Sequence, residues 1–409
     1  MLRITRMIAV GALVLGACAG NRSEPVRIWT SEPAIADYIS RYNADREGAP
    51  VEVRAIERGS GYRELSGAES PPDLIIDRHL VKPAARSIFE TVEGLIGDTG
   101  GRYYRSLLEG GRIEGNQYLL PLSFDVPAVM FAEAWDPPQD DRRTIDLIEL
   151  REAAAAFNAI ADGRAERLGY SPLWQDDFLR AAIDMFGVRF RSGPDEMPLW
   201  SRDGLQEMLD FLGTWSEGEN AGAQTELDFQ RRYLVAPGNR AVQNGIAGFW
   251  YTTAASYYSL PDAERTGLDV RWLSRDGVLP VGDRVLYAGV PRSAENRSGA
   301  RQLLRWLTEE AVQSRLISAN ARAHEPQFGF AGGFSALHTV NERVLSETHP
   351  EMTGRVPVNA ELRRPDIEHP LWPGMSSEVI APWLANALRG EEQLALRNRL
   401  EGWIRQQEL

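Results

Sequence analysis

Residues 26–56 read VRIWTSEPAIADYISRYNADREGAPVEVRAI, and this stretch carries the pattern from which the fold is inferred. Its first four residues and residues 51–56 have the apolar content and alternation of strands. Thr30, Ser31 and Pro33 between them are typical of a turn and a helix start. The apolar positions that follow have the spacing i, i+3, i+4 and i+7 of one helix face, and they are Ile35, Tyr38, Ile39 and Tyr42. The stretch therefore predicts a strand, an amphipathic helix and a second strand.

The order of elements beyond this stretch indicates an α/β fold with a largely parallel sheet. Residues 72–76 predict a third, buried strand, so the chain begins β-α-β-β. Residues 118–131 hold two apolar runs that are separated by residues 123–127, and strand patterns return at 270–273 and 285–288. A mostly helical stretch lies between them, and the chain ends in two predicted helices.

Length and charge restrict the class of protein. The chain has 409 residues, which is too long for one compact core, so we expect two domains or lobes. Its formal net charge is −13. An acidic chain without a basic run argues against a nucleic-acid partner, because phosphate binding needs a basic surface. A single cysteine excludes an internal disulfide, and the five histidines lack metal-ligand spacing.

The amino terminus has the organisation of a secretory signal. Arg3 and Arg6 precede an uncharged run of eleven apolar or small residues, which is far shorter than the ~20 residues needed to span a bilayer. The only cysteine, Cys18, follows this run directly, and the LGAC sequence at 15–18 resembles a bacterial lipobox. The likeness implies a lipoprotein signal peptide at residues 1–17 and lipidation of Cys18. A polar tether would then follow at residues 18–25. The alternative is a chance cysteine in an ordinary signal peptide.

Five segments in order resemble the bacterial extracellular solute-binding proteins of family 1, the sugar-binding type that serves ABC importers. They are 26–56, PPDLIID at 71–77, YLLPLSFDVPAVMFAEAW at 118–135, the stretch from VLYAGVPRSAEN at 285 to Leu316, and the stretch from HPLWPGM at 369 to Leu400. One departure is Phe249, which stands where methionine is common in that family. Residues 135–240 match loosely.

The resemblance implies a periplasmic-binding-protein-like fold of type II, in which two lobes with mostly parallel sheets enclose a ligand cleft. Lobe one would comprise 24–122 and 287–335, and lobe two 123–286 and 336–409. The lobes would close on the ligand by a hinge motion. The resemblance further implies a monomeric binding protein with an ABC permease as partner, without enzymatic activity, catalytic residues, metal or cofactor.

Candidate ligand-binding residues follow the carboxyl ends of strands, where open α/β sheets bind ligands. Ser31 and Glu32 follow the first strand, although either could simply cap the next helix. Asp77 and Arg78 follow the third strand and could bind hydroxyls or a carboxylate, or form an ordinary surface ion pair. Asp125 lies in the presumed crossover, where the family places an acidic residue in the cleft; the alternative is a turn residue before a proline.

Aromatic residues complete the predicted site, because the CH-rich face of a sugar packs on aromatic rings. Five aromatic residues are candidates together with one serine, each with a structural alternative of core packing, a hinge loop or a helix start: Trp250 and Tyr251, Phe330 and Phe334, and Trp372 with Ser376.

The sequence therefore predicts a membrane-anchored, extracytoplasmic protein that binds a sugar or oligosaccharide and delivers it to an ABC transporter. Polyamines, peptides and anions stay open as ligands. Two rival functions also stay open, namely an anchored glycan hydrolase and a structural or adhesive lipoprotein.

Overall fold

The computed structural model describes residues 24–45, 50–82, 84–135, 143–193, 197–323, 327–363 and 369–407. The predicted signal peptide, Cys18 and most of the predicted tether lie outside these ranges. Within them, no helix combines the length and apolar character that crossing a bilayer requires.

A six-stranded mixed sheet forms the first half of the molecule. In spatial order its strands are Phe334–Ser335, Leu120–Phe124, Val285–Gly289, Leu74–Asp77, Val26–Thr30 and Val51–Ala55. The strand Val26–Thr30 pairs in parallel with both of its neighbours. The other three pairings are antiparallel. The sheet is therefore mixed and not mostly parallel as predicted, because the strand Val285–Gly289 enters it from the other half of the molecule in the opposite direction.

A four-stranded sheet forms the second half. Its strands, in spatial order, are Phe249–Thr253, Pro127–Ala132, Leu268–Ser274 and Thr144–Asp146. Only the last pairing is parallel. We call the half built on the six-stranded sheet lobe one and the half built on the four-stranded sheet lobe two.

Two crossover segments connect the sheets. In the first, Asp125 and Val126 separate the strand Leu120–Phe124 of lobe one from the strand Pro127–Ala132 of lobe two. In the second, the chain leaves Leu268–Ser274 and reaches Val285–Gly289 through a short strand, Leu279–Pro280, which pairs in parallel with Leu362–Arg363. The break that the sequence predicts within 123–127 is thus the first crossover.

The longer helices surround the two sheets. They are Pro33–Asp45, Leu147–Phe157, Asp176–Met185, Arg202–Thr214, Ala223–Tyr233, Arg297–Leu307, Glu310–Ala323, Ala381–Leu388 and Leu396–Gln407. Glu310–Ala323 contacts the helical segment 338–348, whereas Ala381–Leu388 contacts Asp176–Met185 and Arg202–Thr214. The amphipathic helix predicted after the first strand is confirmed, with Ala34, Ile35, Tyr38, Ile39 and Tyr42 buried.

Shorter elements connect these parts. The short helices are Gly61–Ser66, Ala85–Ile88, Glu93–Ile96, Arg105–Gly110, Gly238–Gln243, Ala254–Tyr258, Asp262–Arg265, His338–Val340, Ser346–Thr348 and Trp372–Gly374, with π-helical turns at Trp215–Glu219, Asn341–Leu345 and Met375–Ile380. Strand pairs outside the two sheets are Arg112–Ile113 with Asn116–Gln117, Ala159–Ala161 with Arg164–Arg167, and Arg191–Ser192 with Pro198–Leu199.

Candidate functional site

A cavity of about 880 Å³ lies where the two lobes and both crossovers meet. We call it the cleft. The strands Val26–Thr30, Leu74–Asp77 and Leu120–Phe124 all present their carboxyl ends to it, so Glu32, Arg78 and Asp125 line it together. This is the edge at which open α/β sheets bind ligands.

The floor of the cleft joins the two crossovers through one backbone oxygen. The carbonyl of Arg284, in the second crossover, accepts a hydrogen bond from the backbone N–H of Asp125 in the first, at 3.2 Å. The same carbonyl accepts a second bond from Nη1 of Arg78, at 2.6 Å. The guanidinium of Arg78 also places Nη2 3.6 Å from Oε2 of Glu32. Arg78 therefore connects lobe one to the second crossover.

Asp125 has a structural role as well as a place in the cleft. Its Oδ1 accepts hydrogen bonds from the backbone N–H groups of Val126, at 2.9 Å, and Ala255, at 3.0 Å. The second bond satisfies a free N–H group in the first turn of the helix Ala254–Tyr258 of lobe two, whose N-cap residue is Thr253. Burial raises the pKa of the Asp125 carboxyl. This residue thus holds the first crossover against lobe two.

Tyr251 and Arg284 form the lobe-two side of the floor. Nη2 of Arg284 donates to the Tyr251 hydroxyl at 3.1 Å, and burial raises the pKa of Tyr251 to about 12. Asp283, next to Arg284, lies 4.0 Å from Nε2 of His79 in lobe one. Polar and charged groups from both lobes therefore meet here.

Asp77 and Ser31 lie beneath the cleft and not among its lining residues. The Asp77 carboxylate is buried, and Oδ1 accepts hydrogen bonds from the hydroxyl of Ser31 at 2.6 Å, from the N–H of Gly59 at 3.1 Å and from the N–H of Arg78 at 2.8 Å. Its Oδ2 accepts from the N–H of Gly61 at 3.2 Å. Asp77 thus fixes the loop 57–61 that forms the rim.

The predicted aromatic residues are divided between the cleft and the core. Tyr251 and Trp372 line the cleft, as does Ser376. Trp250 does not, because successive residues of a strand face opposite sides; its ring stacks on Trp174 with centroids 5.9 Å apart.

The glycine-rich segment 328–334 is also packed into the core. Phe330 and Phe334 are fully buried. Phe330 stacks on Tyr38, with ring centroids 5.1 Å apart, and Phe334 stacks on Phe124 at 5.4 Å. Neither ring is among the residues that line the cleft.

Several cleft residues were missed by sequence reasoning. They are Arg58, Tyr62 and Lys82 of lobe one, Arg180 and Asp184 of lobe two, and Trp403 of the last helix. The loop 57–63 follows the second strand, so the same rule that selected Glu32 could have found it. Trp403 carries no comparable signal, because its place depends on how the carboxyl-terminal helix packs. Its Nε1 donates to Glu378 at 2.9 Å.

The cleft is strongly charged. Its cationic side chains are Arg58, Arg63, Arg78, Lys82, Arg180 and Arg284, and its acidic ones are Glu32, Glu57, Asp125, Asp177, Asp184, Asp283 and Glu378. Burial raises the pKa of Glu32, and the charges of Arg78 and Arg58 counteract this rise. Among the residues that the structure describes, no group of three or more His, Cys, Asp or Glu is arranged to hold a metal ion.

Comparison with known proteins assigns the fold. No family model matches the chain, and no curated protein is similar in sequence. Among solved structures, the sugar-binding protein MalE from Xanthomonas citri has a TM-score of 0.65 at 12% identity, over 93% of this chain and 96% of that one. CpMnBP1 with mannobiose bound has a TM-score of 0.64 at 12% identity, over 92% and 98%.

A third similar structure is the maltose/maltodextrin-binding domain MalE from Bdellovibrio bacteriovorus bound to maltotriose. Its TM-score is 0.58 at 15% identity, over 94% of this chain and 99% of that one. These likenesses extend over nearly the whole chain. They confirm the prediction of a two-lobed, type II binding-protein fold of the kind that sugar-binding ABC solute-binding proteins have.

Proposed function

We propose that this protein is a membrane-anchored, extracytoplasmic solute-binding protein that delivers a sugar or oligosaccharide to an ABC transporter. The observation that carries the proposal is the cleft, which lies at the junction of both lobes and both crossovers. Its volume of about 880 Å³ falls within the ~300–1,000 Å³ typical of small-molecule sites. The lining combines charged and hydroxyl groups with Tyr62, Trp372 and Trp403, which suits a ligand with polar edges and CH-rich faces.

The arrangement of the crossovers supports ligand capture by hinge closure. The two sheets are connected by Asp125 and Val126 in the first crossover and by residues 275–284 in the second, and hinges in proteins that close around a ligand are formed by loop or element-terminal residues of this kind. A ligand that contacts both walls would favour the closed state by its differential affinity for that state. In this proposal a permease recognises the closed form, the protein acts as a monomer, and no covalent chemistry takes place.

The membrane anchor is the second part of the proposal. Lipidation of Cys18 would add acyl chains that stabilise membrane binding by about 0.8 kcal/mol per buried methylene, and two chains suffice for a stable anchor. The tether 18–25 would keep the lobes near the membrane surface. The division into lobe one at 24–122 and 287–335, and lobe two at 123–286 and 336–409, also stays a prediction.

A thermal-shift screen followed by calorimetry tests the binding proposal. The purified chain without residues 1–17, with Cys18→Ser, should be stabilised by at least one mono- or oligosaccharide, because a ligand that binds only the folded state adds RT ln(1 + [L]/Kd) to stability. Trp372→Ala should weaken that binding, whereas Trp174→Ala, which alters the lobe-two core beside the cleft, serves as a control for general destabilisation. Flat responses to a broad saccharide panel would contradict the proposal. Release of reducing ends from glycans would instead favour the hydrolase.

A further inference from the structure

Two guanidinium groups lie near one carboxylate on the lobe-one wall of the cleft. Arg78 and Arg58 both act electrostatically on Glu32, and Nη2 of Arg78 lies 3.6 Å from Oε2 of that residue. Burial, and next the repulsion from Arg58, lowers the pKa of Arg78. The carboxylates of Glu32, Asp125 and Asp283 all attract Arg78, so the charge of Arg78 is compensated within the protein.

Arg58 is the uncompensated member of this cluster. Its side chain is exposed on the rim of the cleft, and it forms neither an ion pair nor a hydrogen bond with any part of the chain that the structure describes. Arg63, five residues further along the same rim, differs because it pairs with Glu57 at 3.0 Å. Arg58 is therefore available to a ligand.

The acidic side chains of the cleft already have hydrogen-bond or ion-pair partners within the protein. Each of the others contacts a donor or a cation within the protein: Glu57 with Arg63, Asp125 with two backbone N–H groups, Asp177 with Arg180, Asp184 with Arg189, Asp283 with His79 and Arg284, and Glu378 with Trp403. Arg58 is thus the charged side chain of the cleft lining that has no ion-pair or hydrogen-bond partner among the described residues.

Two buried polar atoms without a hydrogen-bond partner also favour a ligand that supplies acceptors. Among the described residues that line the cleft, two buried polar atoms lack a hydrogen-bond partner, and they are Nη1 of Arg284 and Nε1 of Trp372. Both are donors. Each lacks an acceptor, and an anionic oxygen accepts a hydrogen bond more strongly than a neutral hydroxyl does.

We propose that the saccharide bound in the cleft carries one anionic group, and that Arg58 and Arg78 are its partners. This inference rests on the proposed function and specifies its ligand class. One unpartnered guanidinium, that of Arg58, matches a monoanionic group, either a uronate carboxylate or a sulfate ester. Guanidinium groups bind both through paired N–H donors.

The test compares four related disaccharides by calorimetry at low and at moderate salt: a neutral one, its hexuronate analogue, its O-sulfated analogue and its amino-sugar analogue. An anionic analogue should bind at least tenfold more tightly than the neutral one, and the uronate and sulfate arms identify the group. Arg58→Gln should remove most of that preference, so that the ratio of the affinities for the anionic and the neutral sugar falls towards one. Arg58→Lys, which keeps the charge, should retain a larger share than Arg58→Gln.

Arg63→Gln is the matched control, because it removes the same charge from the same rim at a side chain that already has a partner. It should change the preference for the anionic sugar by less than twofold. Equal losses in both variants would overturn the assignment to Arg58, because a general field would then account for binding. Tighter binding of the neutral or the amino sugar would overturn the inference and leave the proposed function intact. Failure of all four sugars, and of a wider saccharide panel, would reject both.

Discussion

Replacement of Asp77 by Asn separates the positioning of the cleft rim from general stability. The Asp77 carboxylate receives four hydrogen bonds, three at Oδ1 and one, from the Gly61 N–H, at Oδ2. An amide keeps one oxygen but substitutes an N–H₂ donor for the other, so at least one backbone N–H would face a donor. An unsatisfied buried group costs about 1–3 kcal/mol, and we expect Asp77→Asn to lower the free energy of unfolding by that amount.

Asp73 offers a matched control at the opposite end of the same strand. It is equally buried, and its two oxygens accept hydrogen bonds from the backbone N–H groups of Arg27, at 2.9 Å, and Asn296, at 2.7 Å. Asp73→Asn creates the same donor conflict far from the rim loop 57–61. It should therefore destabilise the protein by a similar amount.

Ligand binding distinguishes the two variants. Urea unfolding should give comparable losses, and calorimetry with a saccharide found in the screen should give at least a fivefold weaker affinity for Asp77→Asn only. The reason is that a displaced rim loop moves Arg58 and Gly59 relative to the ligand, whereas Asp73 has no cleft contact. Equal affinities for Asp77→Asn and the wild type, or equal losses in both variants, would refute the positioning role.

Three further predictions concern packing, pH and the anchor. Gly238→Ala would place a Cβ 2.1 Å from the Trp250 ring and should cost about 1–3 kcal/mol by overpacking, whereas Gly402→Ala, which meets no atom within 4 Å, should be neutral or slightly stabilising by urea unfolding. Burial raises the pKa of Glu226 above the 4.5 of an unperturbed glutamate, so the folded state holds this proton more tightly. The contribution of Glu226 to stability is present below about pH 4.5 and is lost as pH rises through the folded pKa. Urea denaturation of the wild type and of Glu226→Gln across pH 4–8 should therefore show that the wild type loses stability relative to the variant as the pH rises. Parallel plots of unfolding free energy against pH would contradict this prediction. Cys18→Ser should move the full chain from the membrane to the soluble fraction, and unchanged fractionation would exclude the lipid anchor.

Local patterns were sufficient to predict much of the fold. The strand Val26–Thr30 and the helix Pro33–Asp45 follow from periodicity in one continuous segment, and the polar break around Asp125 marks a crossover because two buried strands flank it. Whether the strands pair in parallel or antiparallel was harder to predict from the sequence. The strand Val285–Gly289 looks the same in sequence whether it pairs in parallel or not, and its direction depends on the other half of the chain.

The site was only partly predictable, for reasons that differ by residue. Strand alternation explains why Tyr251 and not Trp250 lines the cleft, so a stricter use of the two-residue period would have separated them. Phe330 and Phe334 were predicted to contact the ligand or to belong to a hinge loop, but their rings stack on Tyr38 and Phe124, which lie more than 200 residues away in the chain. No local pattern reports such a contact.

The carbonyl oxygen of Arg284 contacts both a cleft residue and the first crossover. It accepts hydrogen bonds from the guanidinium of Arg78, which lines the cleft, and from the backbone N–H of Asp125 in the first crossover. If the protein binds a ligand as proposed, a biosensor design that replaced Arg78 to change the analyte would also remove a contact between lobe one and the second crossover. Selectivity and signal amplitude would then have to be optimised jointly, and reporter dyes would best be attached away from this junction.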